Sequence, residues 1–120
     1  MPSADPEARL RHILENIDAI IAATQGKSRA EIIGDYLVQR ALERAVEIIS
    51  EAAKTLPAEF REQEPDVPWS EIIGIGNLLR HEYYRIRGDR MLDILTNHLP
   101  RLRPAIVRLQ SSIGTTKTED

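Results

Sequence analysis

The chain has 120 residues, of which 42% are hydrophobic, so its length suits one domain with a single core. It contains no cysteine, which excludes disulfide bonds and thiolate metal sites. The net charge of −3 is unevenly distributed: residues 1–75 carry 14 acidic and 8 basic side chains, whereas residues 76–108 carry seven Arg and three acids.

Two helices are predicted in the first half of the chain. Pro6 opens the first, and apolar residues at helical spacing continue it to about Thr24. Ser28 and Glu31 have the spacing of a capping box, so a second helix begins at about residue 29 or 35 and ends at Lys54. Aromatic residues are only 4% of the chain, and the dominance of Ala, Ile and Leu favours helices over sheets.

Two further helices follow a linker at 55–68, which contains three prolines and a short turn. The third begins at Trp69, and Asp89 is predicted to cap the fourth. Pro100 should end or kink that helix before it continues to about Ser112. We therefore predict an all-α, antiparallel up-and-down bundle of four or five helices, one domain over 1–120 with flexible ends at 1–5 and 114–120.

The third helix carries the candidate site, because it groups Asn77, Arg80, His81 and two tyrosines within eight residues. Asn77 and His81 are four residues apart and share a helix face, so the amide could fix one imidazole tautomer. A positioned histidine suits acid–base chemistry near neutral pH. A histidine near a helix end is also common as a plain surface residue. The three histidines are far apart in sequence, so no metal and no cofactor are expected.

This segment resembles a known family. After Pro68–Trp69, the residues Gly74, Asn77, Leu79, His81 and Tyr83 match the pattern Gly-x-Arg-Asn-x-Leu-x-His-x-Tyr of the HepT-like toxins, all-helical members of the HEPN superfamily. Upstream, Ser50-Glu-Ala-Ala53 is similar to the family's Gly-Glu-Ala-Ala. The chain departs from the pattern twice, since Gly76 stands where the family has its motif Arg and Ser50 where Gly is usual.

The departure at Gly76 raises a hypothesis about Arg80, which lies four residues later on the same helix face. Helical side chains lean back over the preceding turn, so the Arg80 guanidinium could occupy the space left at Gly76. Alternatively, Arg80 is a solvated residue that interacts with the helix dipole. Glu51 could face this cluster and orient the Arg, or it could simply be exposed.

The resemblance implies a homodimeric ribonuclease toxin of a type VII-like toxin–antitoxin pair, which cleaves RNA without a metal ion. In that interpretation His81 is the acid–base group, Arg80 stabilises charge on the phosphate, and Asn77 orients His81. The implied partner is a minimal, MntA-type nucleotidyltransferase antitoxin that transfers AMP to Tyr83. Tyr84 is a competing acceptor, and Tyr83 could instead be a plain helix-end aromatic residue.

Two interpretations compete with the nuclease. Gly76 favours a catalytically lapsed subunit that only binds the nucleotidyltransferase, and a purely structural bundle is the third possibility. The Arg-rich segment 76–108 suits phosphate binding, but it also suits pairing with acidic residues of this chain or of a partner. The sequence shows no signal peptide and no apolar run long enough for a membrane span, so a cytoplasmic protein without membrane or DNA partners is expected.

Overall fold

A computed structural model of the chain describes residues 5–82 and 86–119, with side chains as far as residue 113. These residues are helical nearly throughout. The elements in chain order are α1 (Pro6–Thr24), α2 (Arg29–Gly34), α3 (Tyr36–Thr55), α4 (Ala58–Glu62), α5 (Trp69–Glu82), α6 (Gly88–Asp93), a π-helical turn (Ile94–His98) and α7 (Leu99–Glu119). The predicted all-α bundle is confirmed: α1, α3, α5 and α7 are its long members.

The predicted second helix begins at the later of its two expected starts, because Asp35 separates α3 from the short helix α2 before it. The backbone of Asp35 is extended, and its carboxylate accepts hydrogen bonds from the amides of Leu37 (3.0 Å) and Val38 (3.1 Å). Asp35 therefore caps α3 and cannot continue α2. The capping box at the start of α2 is confirmed, because Ser28 and Glu31 exchange backbone-to-side-chain hydrogen bonds of 2.8 and 3.1 Å.

The fourth predicted helix differs from the sequence prediction at both of its irregular points. The helix begins at Gly88, so Asp89 lies in its first turn and is not the N-cap residue; its carboxylate pairs with Arg87 and accepts a hydrogen bond from the backbone amide of Arg90 (2.9 Å). Pro100 does not end the helix, which continues through a π-helical turn into α7. The turn before it widens, with the Leu99 amide bonded to the Ile94 carbonyl five residues back, which relieves the clash of the proline ring. Beyond Pro100, α7 runs to Glu119, past the predicted end near Ser112.

The core lies where α3 packs between α1 and α5, with α7 against α1. Its fully buried residues come from three of these helices and from α6: Leu10, Ile13, Ile17, Leu42, Ile49, Met91, Leu92, Ile106 and Leu109. The side chains of Ile33 and Leu37 are 40% and 75% exposed, so neither residue belongs to the buried apolar stripe. No helix in the described ranges has the length and apolar character needed to cross a membrane.

Candidate active site

Helix α5 is anchored at its start by Trp69. The indole Nε1 donates to the carbonyls of Arg61 (3.0 Å) and Glu64 (3.1 Å), which ties α5 to α4 and the turn after it. Gly76 and Leu79 are buried, whereas Asn77, Arg80 and His81 are exposed. Residues 77, 80 and 81 share one face of the helix. Because α5 packs on α3 through its other face, these three polar side chains lie together at the surface.

Arg80 is held by two oxygen atoms from two different helices. One terminal nitrogen donates to Glu51 Oε2 of α3 (3.1 Å) and the other to Asn77 Oδ1 of α5 (3.2 Å). The sequence left open whether Glu51 is simply exposed or orients the Arg. In the structure the Glu51 carboxylate is exposed and also orients Arg80. A guanidinium has five N–H groups, so Arg80 keeps donors for a further ligand such as a phosphate.

The predicted hydrogen bond between Asn77 and His81 is not formed. The Asn77 amide oxygen accepts from Arg80 instead, because that guanidinium leans back by one turn. His81 is exposed in the last turn of α5, and its imidazole makes no hydrogen bond within the described residues. Asn77 therefore positions Arg80 in this structure, not His81.

Ser50, not Arg80, takes the space beside Gly76. A Cβ added at Gly76 would lie 1.9 Å from Ser50 Oγ and 2.2 Å from Ser50 Cβ. The Ser50 hydroxyl donates to the Ile73 carbonyl of α5 (3.1 Å), and the side chain is buried. The two residues that depart from the family pattern, Ser50 and Gly76, are thus in contact with each other. A residue larger than usual on α3 fits against a residue smaller than usual on α5. At the Cβ position of residue 76, the space is therefore taken by Ser50 and is not free for the Arg80 side chain.

A groove of about 780 Å³ runs along the exposed face of α5, between this helix, α4 and the end of α3. Arg80 and Asn77 form part of its wall, together with Lys54 and Arg61. Sequence reasoning missed Lys54 and Arg61 as site residues, since they lie on other elements and only the packing of α3 and α4 brings them here. This α4–α5 groove lies beside Arg80.

The Arg-rich segment pairs largely with acids, as one of the two interpretations predicted. Arg80, Arg103 and Arg108 reach acids of the first 75 residues, namely Glu51, Asp18 and Glu64. The bidentate hydrogen bonds from Arg108 hold the pKa of Glu64 below its ordinary value, and those from Arg103 do the same to the pKa of Asp18. Arg87 and Arg90 pair locally with Asp89 and Asp93.

Two predicted residues, Tyr83 and Tyr84, lie outside the described residues. Among the side chains that are described, no three of His, Asp or Glu come together as metal ligands would.

Comparison with known proteins identifies the family. The model of the family described as "Ribonuclease HepT-like" matches residues 13–109, which include the whole of α3 and α5 and all the site residues above. The chain belongs to the HepT-like ribonuclease family. The resemblance carried by the α5 motif is thereby confirmed, and with it membership of the HEPN superfamily.

Three relatives of this HepT-like chain match it over most of their own length. A candidate RNase of Caldanaerobacter subterraneus subsp. tengcongensis is 36% identical over 84% of this chain and 90% of its own. One from Methanocaldococcus jannaschii is 36% identical over 94% and 93%. A probable ribonuclease HepT of Thermococcus cleftensis is 29% identical over 84% and 92%. No solved structure shows significant similarity to the chain.

Proposed function

We propose that this HepT-like chain is a ribonuclease toxin that cleaves RNA without a metal ion. The observation that carries the proposal is the arrangement of Arg80, which is fixed by Asn77 and Glu51 at the edge of a groove and one residue from the exposed His81. A fixed cation beside a free imidazole is what cleavage by the RNA's own 2′-hydroxyl requires.

In the proposed reaction the 2′-hydroxyl oxygen attacks the adjacent phosphorus and the bond to the 5′ oxygen breaks. His81 takes the proton from the 2′-hydroxyl or gives one to the leaving oxygen. Arg80 stabilises the negative charge that builds up on the non-bridging oxygens. Because the nucleophile belongs to the same strand, its attack is intramolecular, and neither a metal-bound water nor a cofactor is needed.

Asn77 acts through Arg80 in this scheme. Its amide oxygen accepts a hydrogen bond from one terminal nitrogen of the guanidinium, and the Glu51 carboxylate accepts one from the other. The two bonds limit the rotation of the Arg80 side chain. A lysine could not make the same bridge, since an ammonium lacks the planar fork. We therefore assign Asn77 and Glu51 as positioning residues and Arg80 and His81 as the groups that contact RNA.

The partner in this proposal is a minimal nucleotidyltransferase antitoxin. It would join the AMP moiety of ATP to the hydroxyl oxygen of Tyr83, or of the competing Tyr84, and release pyrophosphate. Each added phosphate would bring negative charge near the cleft and repel RNA. The protein would act in the cytoplasm, with RNA as substrate and no DNA partner.

A homodimer with a joint cleft is part of the same proposal. In such a dimer the α4–α5 groove of each copy would form one half of the cleft, because Asn77 and Arg80 lie at the surface of α5. Sedimentation of the parent tests this point. A dimer is expected, and a monomeric parent would contradict it.

The deciding experiment is RNA cleavage by the purified protein in EDTA. We expect His81→Ala to lower the rate by about 10²–10⁴-fold and Arg80→Ala by about 10²–10³-fold. His98→Ala is the matched control, because His98 is an exposed histidine on the π-helical turn, paired with Asp93. Cleavage by His81→Ala at the parent rate would refute the proposal.

One observation favours a second candidate, a lapsed subunit that only binds the nucleotidyltransferase. Gly76 stands where the family has its motif Arg, and Ser50 closes the space that a Cβ would need at this position. This candidate expects no cleavage by the parent but a stable complex with the antitoxin. Growth arrest on expression of the chain alone, relieved by His81→Ala, would exclude it.

A further inference from the structure

A second groove lies on the other side of Arg80, between α1 and α3. Its volume is about 440 Å³, and its wall includes Arg9 and His12 of α1, Arg44 and Lys54 of α3, and Arg80. Neither His12 nor the α1 arginine was expected to lie near the site, since more than 60 residues separate them from Arg80 in the sequence. The packing of α1 on α3 brings them together.

The α1–α3 groove is cationic in a chain whose net charge is −3. Four basic side chains line it against two carboxylates, Glu47 and Glu51. Both carboxylates are already engaged, Glu47 with Arg44 and Glu51 with Arg80. Lys54 forms no ion pair within the described residues. The groove thus keeps a surplus of positive charge, which favours an anionic ligand.

The two grooves share part of their walls at Arg80. Lys54 and Arg80 line both the α1–α3 groove and the α4–α5 groove. A single small anion can occupy only one of them, whereas a chain of phosphates could follow both and cross the Arg80–Glu51 pair. Single-stranded RNA has this repeating charge, and positively charged grooves that track a backbone are the usual way to bind it.

His12 adds a group suited to the same ligand. It is half-buried in the groove, and its ring makes no hydrogen bond within the described part of the chain. An imidazole can donate to a phosphate oxygen or bond to a ribose hydroxyl.

We propose that the α1–α3 groove is a second phosphate-binding subsite, in which Arg9, His12 and Arg44 hold the RNA strand on the far side of Arg80. The inference rests on the proposed function for its substrate but concerns binding, not cleavage. It places the strand across one protomer, from α4 over the Arg80–Glu51 pair to α1.

The test is strand binding in the His81→Ala background, which keeps the RNA intact. A fluorescent single-stranded oligouridylate of about 12 nucleotides, within the range that small single-strand-binding domains cover, is titrated at several salt concentrations. We expect Arg9→Gln/Arg44→Gln to weaken binding at least about tenfold. The slope of log K against log salt should flatten by about 1.4, since each phosphate contact on a single strand contributes about 0.7.

The matched control is Arg11→Gln/Arg40→Gln, which removes the same charge from the same two helices. Arg11 lies two residues from Arg9 and so on the other side of α1. Arg40 pairs with Glu43, three residues later, just as Arg44 pairs with Glu47. The Arg40–Glu43 pair lies one turn earlier on α3. This control should bind like the His81→Ala parent. If the first double variant loses its fold, Arg44→Gln alone serves, because that side chain is 69% exposed.

The outcomes separate the two proposals. A loss confined to Arg9→Gln/Arg44→Gln supports the subsite even if the parent proves unable to cleave RNA. Equal binding by both double variants, or no strand binding at all, overturns the subsite. Cleavage that depends on His81 would leave the proposed function standing in either case.

Discussion

The side chain of Ser50 occupies the position that a Cβ of residue 76 would need. The distances of 1.9 Å to its Oγ and 2.2 Å to its Cβ are far below any ordinary contact, so with serine at 50 the helices α3 and α5 can cross this closely only if residue 76 is glycine. The motif helix is therefore fixed on the core by a contact between two residues that both depart from the family pattern.

Gly76→Ala should destabilise the protein although alanine is the better helix former. We expect the overlap with Ser50 to cost about 1–3 kcal/mol, as overpacked core substitutions do. Ser50→Gly in the same chain should recover most of the loss, because the Cα of residue 50 would lie 3.6 Å from the new Cβ, an ordinary contact. Urea unfolding of the single and double variants measures the coupling.

Gly74→Ala is the control for this experiment, because it changes the same residue type on the same helix. Its Cβ would have no neighbour within 4 Å, so we expect a gain of about 0.5–1 kcal/mol from helix propensity. A loss at Gly74 equal to that at Gly76 would show that the effect does not come from Ser50.

Restoring the family's motif Arg should require two substitutions. Gly76→Arg alone must displace Ser50 and is expected to unfold the protein, whereas Ser50→Gly/Gly76→Arg is expected to fold and to cleave RNA at least as fast as the parent. Thermal unfolding and the cleavage assay in EDTA measure the two effects. A stable, active Gly76→Arg single variant would contradict the contact described here.

Removing the ion pair between Glu51 and Arg80 should change catalysis and RNA binding in opposite directions. In Glu51→Gln we expect kcat to fall about tenfold, equivalent to about 1.4 kcal/mol of transition-state stabilisation, because the guanidinium is less well oriented. RNA binding should tighten at the same time, since a carboxylate is removed from a cationic groove. Steady-state kinetics and strand titration provide the two measurements.

Glu43→Gln is the matched control for Glu51→Gln, because it takes one carboxylate from another arginine pair on α3. It should leave kcat and strand binding unchanged. Equal effects of the two substitutions would mean that Glu51 acts through net charge and not by positioning Arg80.

The ion pair between Glu64 and Arg108 should give stability that depends on pH. Hydrogen bonds from Arg108 lower the pKa of Glu64 from its ordinary 4.5 in the folded state, so the pair stabilises the protein fully above that value. The contribution is lost as the pH falls through the lowered pKa. Glu64→Gln should cost about 0.2–1 kcal/mol at neutral pH, the range for exposed ion pairs.

Urea unfolding at neutral pH and at several values below pH 4.5 measures this dependence. The difference between the parent and Glu64→Gln should shrink as the solution becomes more acidic. Glu15→Gln is the control, since Glu15 is exposed on α1 and forms no ion pair within the described residues. A difference that grows on acidification would contradict the assigned direction of the pKa shift.

Much of the fold could be predicted from the sequence because its signals are local. Pro6, the Ser28–Glu31 capping box and Trp69 fix helix starts through groups within a few residues, and the structure has the helices there. The incorrect predictions about helix ends also arise from local signals. Asp35 could be taken for a residue inside a helix, and only its hydrogen bonds to two following amides reveal a cap.

The candidate site was predictable in part. Asn77, Arg80 and His81 lie on one face as helical periodicity requires, and the structure exposes all three. The choice between two hydrogen-bond partners for Asn77 was not predictable, because His81 and Arg80 are both one turn away. Lys54, Arg61 and the α1–α3 groove could not be found from spacing, since their elements are distant in sequence.

The sequence by itself determined the all-α bundle, the helix that bears the site and the family. These depend on the period of the apolar residues, on capping groups and on a short motif, all of which act over one or two turns. The tertiary structure alone decided that Ser50 closes the space beside Gly76, that Glu51 holds Arg80, and that two cationic grooves meet at that residue. Those contacts join helices more than 20 residues apart, and only the packing of the core fixes which faces meet.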